Sequence, residues 1–336
     1  MSGMDEFDLS REVDELRQAL RRSQQQTSKA RRRTADLVEA VYQGARDAAL
    51  AQGMPKPVPP PKRDRRRAGV EVALVHATDW QLGKQTSGYD IDTCRTRILR
   101  LAEKTLEMTE IQRAAHPVHD CHVMFGGDMV EGVGIFPGQA YEVESHLFEQ
   151  LFACANLMHE FVSVLLSGFS RVSVTCEYGN HGRLGRKGEM PSGDNVDRMA
   201  YRIAGDRFAA DDRVEWVTTG DWYQIVEVGA YRALLVHGDE IKSFGGNTPA
   251  FGILRKCNQW AAGVIDDFSD VYMGHFHTPM TLTMANGCQI YVTGSPESDN
   301  VYAKEFMAAT GRPSQRLHFV DPAGGSVTAS YLIWLD

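Results

Sequence analysis

No apolar run in this 336-residue chain approaches the ~18–20 residues needed to cross a bilayer; Phe161–Phe169 comes nearest and is short. A CxxC pair is also missing: the six cysteines (94, 121, 154, 176, 257, 288) are scattered, as expected for reduced thiols in a cytoplasmic protein rather than a disulfide scaffold. The first residues lack the basic and apolar segments of a secretory signal, opening instead on Asp5, Glu6 and Asp8. Basic charge is in deficit overall, the net charge being −8. That deficit argues against a protein that simply coats nucleic acid, whose main domain should be basic.

The chain does have ample material for a buried core, with 43% hydrophobic and 24% charged residues, which excludes wholesale disorder. Its charge is unevenly placed. Residues 1–68 hold 15 Lys and Arg against 10 Asp and Glu, and the remainder 21 against 34. A basic appendage therefore precedes an acidic body. Leu9, Val13, Leu16 and Leu20 recur at helical spacing, as do Leu37, Val41, Ala45 and Ala48. This predicts a helical, coiled-coil-like arm over 1–52, as one or two helices that can self-associate. The stretch 53–68 (GMPKPVPPPKRDRRRA) reads as a Pro/Arg-rich linker. Residues 69–336 form the third segment, in which short apolar runs alternate with helical stretches at 93–114, 140–166 and 250–265. Strands are predicted near 72–75, 122–125, 171–176, 214–218, 223–228, 231–236, 270–273, 279–284, 288–293, 316–320 and 326–334. Early alternation and late strand clustering predict an α/β fold, a two-sheet sandwich flanked by helices.

Five apolar runs end in residues with metal-ligand chemistry. VALVHATDWQ ends in Asp79 and Gln81, HVMFGGDMVEG holds Asp128 and Glu131, and VSVTCEYGNHG holds Asn180 and His181. ALLVHGDE supplies His237, and VYMGHFH supplies His275 and His277. Ligands in such folds gather where loops leave the carboxyl ends of strands. Oxygen donors from Asp, Asn and Gln combined with His nitrogen favour Mn, with Fe or Zn also suited, over an all-oxygen Ca or Mg site. A pair of such ions can hold a phosphate and lower the pKa of a water between them. The dense group His116, His119, Cys121 and His122 also invites a metal reading, but Cys121 and His122 face opposite sides of a strand.

The ordered set Asp-x-(His/Gln), Gly-Asp-x-x-(Asp/Glu), Gly-Asn-His, His, Gly-x-His-x resembles the calcineurin-like metallophosphoesterase superfamily over about residues 71–300. Within it, GVGIFPGQ (132–139) and the late Gly294, Ser295, Tyr302 and Ala303 are most similar to the enzymes of tailed bacteriophages, and more distantly to DNA-repair nuclease subunits. The resemblance implies two divalent metal ions with Asp128 as the bridging carboxylate. Asp79, Gln81 and His277 would complete one site, and Asn180, His237 and His275 the other. His181 would be the acid that assists the leaving oxygen, Glu131 would hold its ring, and Asn180 would help stabilise charge. The family usually has His where this chain has Gln81, and an acidic residue where it has Gly182. An amide carbonyl is the weaker ligand for these metals.

The implied activity is metal-dependent phosphoester hydrolysis, most simply as a phosphodiesterase or nuclease on DNA in the cytoplasm, the host's if phage-encoded, with no membrane partner. Two alternatives stay open: a phosphatase or small-molecule phosphodiesterase, and a non-catalytic nucleic-acid-binding or assembly protein with a degenerate metal site. Arg183, Arg186 and Lys187 follow the Gly-Asn-His motif and are candidates to grip a phosphate. Trp80 and Phe136 are candidates to stack on a base, and Gly238–Gly252 has the composition of an active-site lid.

Overall fold

A computed structural model describes residues 4–51, 58–62, 64–66, 68–136, 138–185, 187–218, 220–242, 249–297 and 311–336. The chain divides into two compact units, Met1–Gly53 and Met54–Asp336. The first contains one continuous helix, α1 (Met4–Ala51), of 48 residues. The polar segment Arg21–Arg33 does not interrupt it, because Arg, Gln and Ala are good helix formers even without an apolar stripe. Leu16 and Leu20 are exposed on this helix. No helix among the described residues is long and apolar enough to cross a membrane.

The second unit is a two-sheet sandwich flanked by helices, as the alternation of elements predicts. Its first sheet contains β1 (Glu71–Ala77), β2 (Val118–Gly126), β3 (Arg171–Glu177), β4 (Val214–Thr218), β10 (Ser314–Asp321) and β11 (Ser326–Trp334). They lie in the order β11-β10-β1-β2-β3-β4. Strands β1 to β4 are mutually parallel, and β10 and β11 add antiparallel. The second sheet, in the order β5-β6-β7-β9-β8, contains β5 (Tyr223–Val228), β6 (Tyr231–Val236), β7 (Asp270–Met273), β8 (Met280–Thr283) and β9 (Gln289–Val292). Here β6, β7 and β9 run parallel.

Alternation along the strands sorts the side chains into layers. Leu74, Met124, Ala233, Leu235, Tyr272 and Tyr291 meet between the sheets. Phe125, next to Met124, points the other way into an aromatic layer with Trp80, Phe161 and Tyr201. That layer is closed by α3 (Leu147–Leu166) and α4 (Val196–Asp206), with α2 (Ile91–Arg113) packed beside α3. On the far side, α5 (Ala250–Gln259) covers the second sheet through Ile253 and Cys257.

Two helical expectations need correction, and one further helix is unexpected. The helix predicted over 140–166 begins only at Leu147, preceded by one 3-10 turn at Gln139–Tyr141. The intervening backbone pairs elsewhere: Gln85 N donates to Glu142 O (2.9 Å) and Glu144 N to Gly83 O (2.8 Å). The helix predicted to 265 stays regular only to Gln259, and its last turn breaks at Gly263, where φ is +101°. Helix α4 has no counterpart among the expected elements. It is short and capped by the Asn195 side chain on Asp197 N, and its buried face, Val196, Ala200, Tyr201, Ile203 and Ala204, includes the charged Asp197.

Candidate metal centre

The five ligand-bearing segments follow the carboxyl ends of parallel strands. Asp79 and Gln81 follow β1, Asp128 and Glu131 follow β2, and Asn180 and His181 follow β3. In the second sheet His237 follows β6, and His275 and His277 follow β7. The loops after β1 and β2 are hydrogen-bonded together, Asp79 N to Gly127 O (2.9 Å) and Gln81 N to Asp128 O (2.9 Å). Two glycines let the loops after β3 and β7 approach them closely. A Cβ on Gly179 would lie 2.1 Å from Asp128 Oδ1, and one on Gly274 would lie 2.0 Å from Asp79 Oδ2.

Backbone strain marks the same place. Among the described residues the non-glycine positions with positive φ are Asp79 (53°), Gln81 (43°), Asp128 (51°), His275 (64°) and His277 (54°). Such conformations cost free energy and persist where the surrounding structure holds them for function. All five come from the predicted ligand set.

The side chains form two half-sites. In one, the Nδ1–H of His237 donates to Gly126 O (2.8 Å), since a carbonyl can only accept. Its Nε2 therefore points at Asp128 Oδ2 (3.1 Å) and Asn180 Oδ1 (3.2 Å). Ligand atoms of Asp128, His237 and His275 all lie within 4.8 Å of one another. In the other half-site, the Nδ1–H of His277 donates to Glu297 Oε2 (3.1 Å), and its Nε2 faces Asp79 Oδ1 (3.4 Å). Asp79 is itself held by the Thr78 hydroxyl (2.8 Å) and by His275 N (2.9 Å).

The Gln81 amide satisfies its neighbours in one orientation. Its nitrogen donates to Glu131 Oε2 (3.1 Å) and Glu297 Oε2 (3.2 Å), leaving its oxygen 3.1 Å from His277 Nε2. The opposite orientation would set its nitrogen against the ring and its oxygen against two carboxylates. Each half-site thus aims an imidazole Nε2 at oxygens that can only accept, an arrangement that only a proton or a metal cation reconciles. The donors fit a metal: each half-site offers a strand-end imidazole, with carboxylate and amide oxygen beside it.

The charges follow from this geometry. Burial alone would raise the Asp128 carboxyl, but His237 and His181 facing it hold it far below the carboxylate range. Burial would depress His181, yet Asp128 and Glu131 push it up to about 9. Its Nδ1 lies 2.8 Å from Glu131 O and 3.4 Å from Glu131 Oε2, with Nε2 on the side of Asp128 Oδ2 at 4.0 Å. His275 is lowered to about 4 by burial and by His237.

Arg183 and Lys187 stand beside this centre, both turned to Asp239 Oδ2, at 3.8 and 3.1 Å. They line a cavity of about 210 Å³ with Tyr178, Asn180, Trp222 and Asp239. Arg186 lies outside the described residues, as does 243–248 of the loop read as a lid. Trp80 is fully buried in the aromatic layer and cannot stack on a base, because it points away from the centre that its neighbours Asp79 and Gln81 face. Phe136 is 39% exposed, its ring centred 6.3 Å from that of His181. The His116–His122 group does not converge: His122 Nε2 bonds the Thr175 hydroxyl (2.9 Å), His116 Nδ1 bonds Gly69 O (3.1 Å), and Cys121 is buried.

No family model and no curated protein matches the chain. Solved structures give only a distant likeness. Wild-type Vps29 with Zn²⁺ from Entamoeba histolytica is 11% identical with a TM-score of 0.35, the match covering 79% of this chain and 99% of that one. A predicted phosphoesterase from Streptococcus pneumoniae is 12% identical with a TM-score of 0.35, covering 80% and 99%. A metallophosphoesterase from Sphaerobacter thermophilus is 14% identical with a TM-score of 0.29, covering 79% and 89%. At such identity and overlap, the side chains of this chain alone speak for its chemistry.

Sequence reading does not find the groups that support the centre. Buried Asp197, at the start of α4, accepts from Asp128 N (2.9 Å), Met129 N (3.1 Å), Val130 N (3.3 Å) and Gly179 N (3.0 Å), tying the Asp128 turn to the Asn180 turn. Burial and the nearby Asp128 charge raise its carboxyl to about 6. The Gln139 amide reaches Glu131 O (2.7 Å) and Oε1 (2.9 Å). Glu297 and its partner Lys84 complete the group (2.8 Å). An Asp at a helix start and a Lys in a loop carry no signal of their own.

Proposed function

We propose that the chain is a metal-dependent phosphoester hydrolase with a two-metal centre, acting on the phosphodiesters of nucleic acid. The observation that carries this reading is the doubled geometry of His237 and His277. Each ring has its Nδ1–H committed to a protein oxygen and its Nε2 aimed at acceptors. Asp79, Gln81 and His277 would hold one divalent ion and Asn180, His237 and His275 the other, with Asp128 shared. The donor set favours Mn, with Fe or Zn suited. Bound there, the ions supply Lewis acidity toward a phosphoryl oxygen and lower the pKa of water.

The chain's own groups complete the reaction. His181, held protonated by Asp128 and by the Glu131 carboxylate and carbonyl, offers a proton to the departing oxygen. Glu131 and Gln139 fix its ring, while Asp197 holds the backbone that carries Asp128. The charge around the site favours a diester. Arg183 and Lys187 are both turned to Asp239, so little cationic charge remains for the second negative charge of a monoester. Phe136, exposed beside His181, offers a ring on which a base can stack.

The test is turnover by full-length protein with Mn²⁺ on a bis-aryl phosphodiester, an aryl phosphomonoester and linear DNA. Diester and DNA cleavage that vanish in Asp128→Ala are expected. Monoester turnover alone would assign a phosphatase. No turnover with Mn²⁺, Fe²⁺ or Zn²⁺, together with DNA binding lost on deleting residues 1–68, would replace the enzyme with a binding protein.

A further inference from the structure

The turn after β9, Gly294–Glu297, is fastened to the back of the His277 half-site. The Ser295 hydroxyl donates to Asp79 O (2.7 Å), and Glu297 N donates to Ser295 Oγ (2.9 Å). Arg97 Nη1 holds Pro296 O (2.7 Å). Gln315 bridges the turn to β1 by donating to Gly294 O (2.7 Å) and Thr78 O (3.1 Å) while accepting from Thr78 N (2.7 Å). The turn delivers one buried carboxylate. Glu297 Oε2 accepts from both His277 Nδ1 (3.1 Å) and the Gln81 amide nitrogen (3.2 Å), and Oε1 forms an ion pair with Lys84 Nζ at 2.8 Å. Lys84 is buried as well.

We propose that Glu297, paired with Lys84, is a positioning residue for the first metal. It holds His277 by its Nδ1–H and Gln81 by its amide nitrogen, so that Gln81 presents its carbonyl oxygen to the cation. An amide free to rotate presents nitrogen as readily as oxygen, and only the oxygen ligates. Two carboxylates, Glu297 and Glu131, remove that ambiguity. A carboxylate behind an imidazole also makes its other nitrogen a stronger donor. The chain thereby compensates on the His277 side for the weak neutral ligand at Gln81. The His237 ring leans only on a neutral backbone carbonyl and has Asn180, Asp128 and His275 around it. The two half-sites therefore respond differently to loss of this one carboxylate. This inference rests on the two-metal reading, and its test separates the two.

Mn²⁺ binding to the full-length protein is measured by equilibrium dialysis, with low-temperature electron paramagnetic resonance reporting spin-coupled pairs. Wild type is expected to bind two equivalents with a coupled signal. Glu297→Gln is expected to weaken one equivalent about 10–100-fold, the usual scale for losing such a partner, to leave the other unchanged, and to give an isolated Mn²⁺ signal at low loading. Because Glu297→Gln strands a buried lysine, the double variant Lys84→Met/Glu297→Gln is measured beside it; both charges then leave together. Two wild-type affinities in the double variant overturn the proposal, and so does equal weakening of both equivalents. Wild type binding one equivalent or none overturns the two-metal reading itself. His237→Ala, losing the opposite equivalent, assigns which half-site each variant empties.

Discussion

The His237 and His277 half-sites use the same imidazole geometry on different supports. His237 donates to the Gly126 carbonyl, part of a strand end that no side-chain substitution removes. His277 donates to Glu297, a carboxylate that arrives from 20 residues further along the chain and is paired with Lys84. The first support comes with the sheet itself. The second is assembled from loops, and substitution can change it independently of the fold. The difference implies a firmly built site beside one whose affinity the chain can tune.

Asp128→Ala should produce the largest effect, because in the proposed two-metal centre it removes the carboxylate that would serve both halves. Hydrolysis should fall by roughly 10³-fold or more, the scale of losing a preorganised stabiliser of transition-state charge, with both Mn²⁺ equivalents weakened. One Mn²⁺ equivalent retained at wild-type affinity would show that the halves do not share Asp128.

His181→Ala probes a group that serves the chemistry without belonging to either half, and activity should fall by about 10²–10⁴-fold. The loss should be smallest on a bis-aryl diester, whose leaving group needs little protonation. The imidazole is raised to about 9, so it is charged at neutral pH, and the proton it offers is lost as pH rises through that value. Activity should decline on the alkaline side, at or somewhat below pH 9, because cations on Asp128 would weaken one of its supports. Glu131→Gln should move that decline to lower pH. A pH profile identical in His181→Ala and wild type would remove His181 from the acid role.

Asp197→Ala tests the frame on which the comparison depends. Four backbone N–H groups, of Asp128, Met129, Val130 and Gly179, would lose their acceptor. The expected destabilisation is about 3 kcal/mol or more, read from urea unfolding. A change under about 1 kcal/mol would mean that water replaces the carboxylate readily.

Legibility in the sequence divides along the same line as the two supports. The strand-end residues could be read because ligand and strand are neighbours in the chain, and the fold brings Asp79, Gln81, Asp128, Asn180, His237, His275 and His277 together. The strands themselves were legible from their apolar runs. Helix α4 was not, since it has only 11 residues and Asp197 on its buried face bonds backbone rather than water. Glu297 and Lys84 were equally silent, being joined across more than 200 residues by a contact that no local period records. Trp80 shows the reverse error. An aromatic between two ligands looks functional, but the turn after β1 carries it into the core beside Phe125 and Phe161.

Gln81→His should have the smallest effect and yet sharpen the comparison most. An imidazole at 81 would be a stronger donor than the amide oxygen and would need no carboxylate to choose its ligating atom. The weaker Mn²⁺ equivalent should tighten by about tenfold or less, and half-maximal activity should need correspondingly less Mn²⁺. The gain stays modest because a ring at 81 forgoes the two bonds by which the amide nitrogen now joins Glu131 and Glu297. Combined with Glu297→Gln, the same change should cost less affinity than Glu297→Gln costs in the presence of Gln81, since only the His277 part of the support would then be lost. If the two changes are strictly additive in a double-mutant cycle, Glu297 does not act through Gln81. The contrast between the half-sites would then reduce to the anchoring of His277 alone.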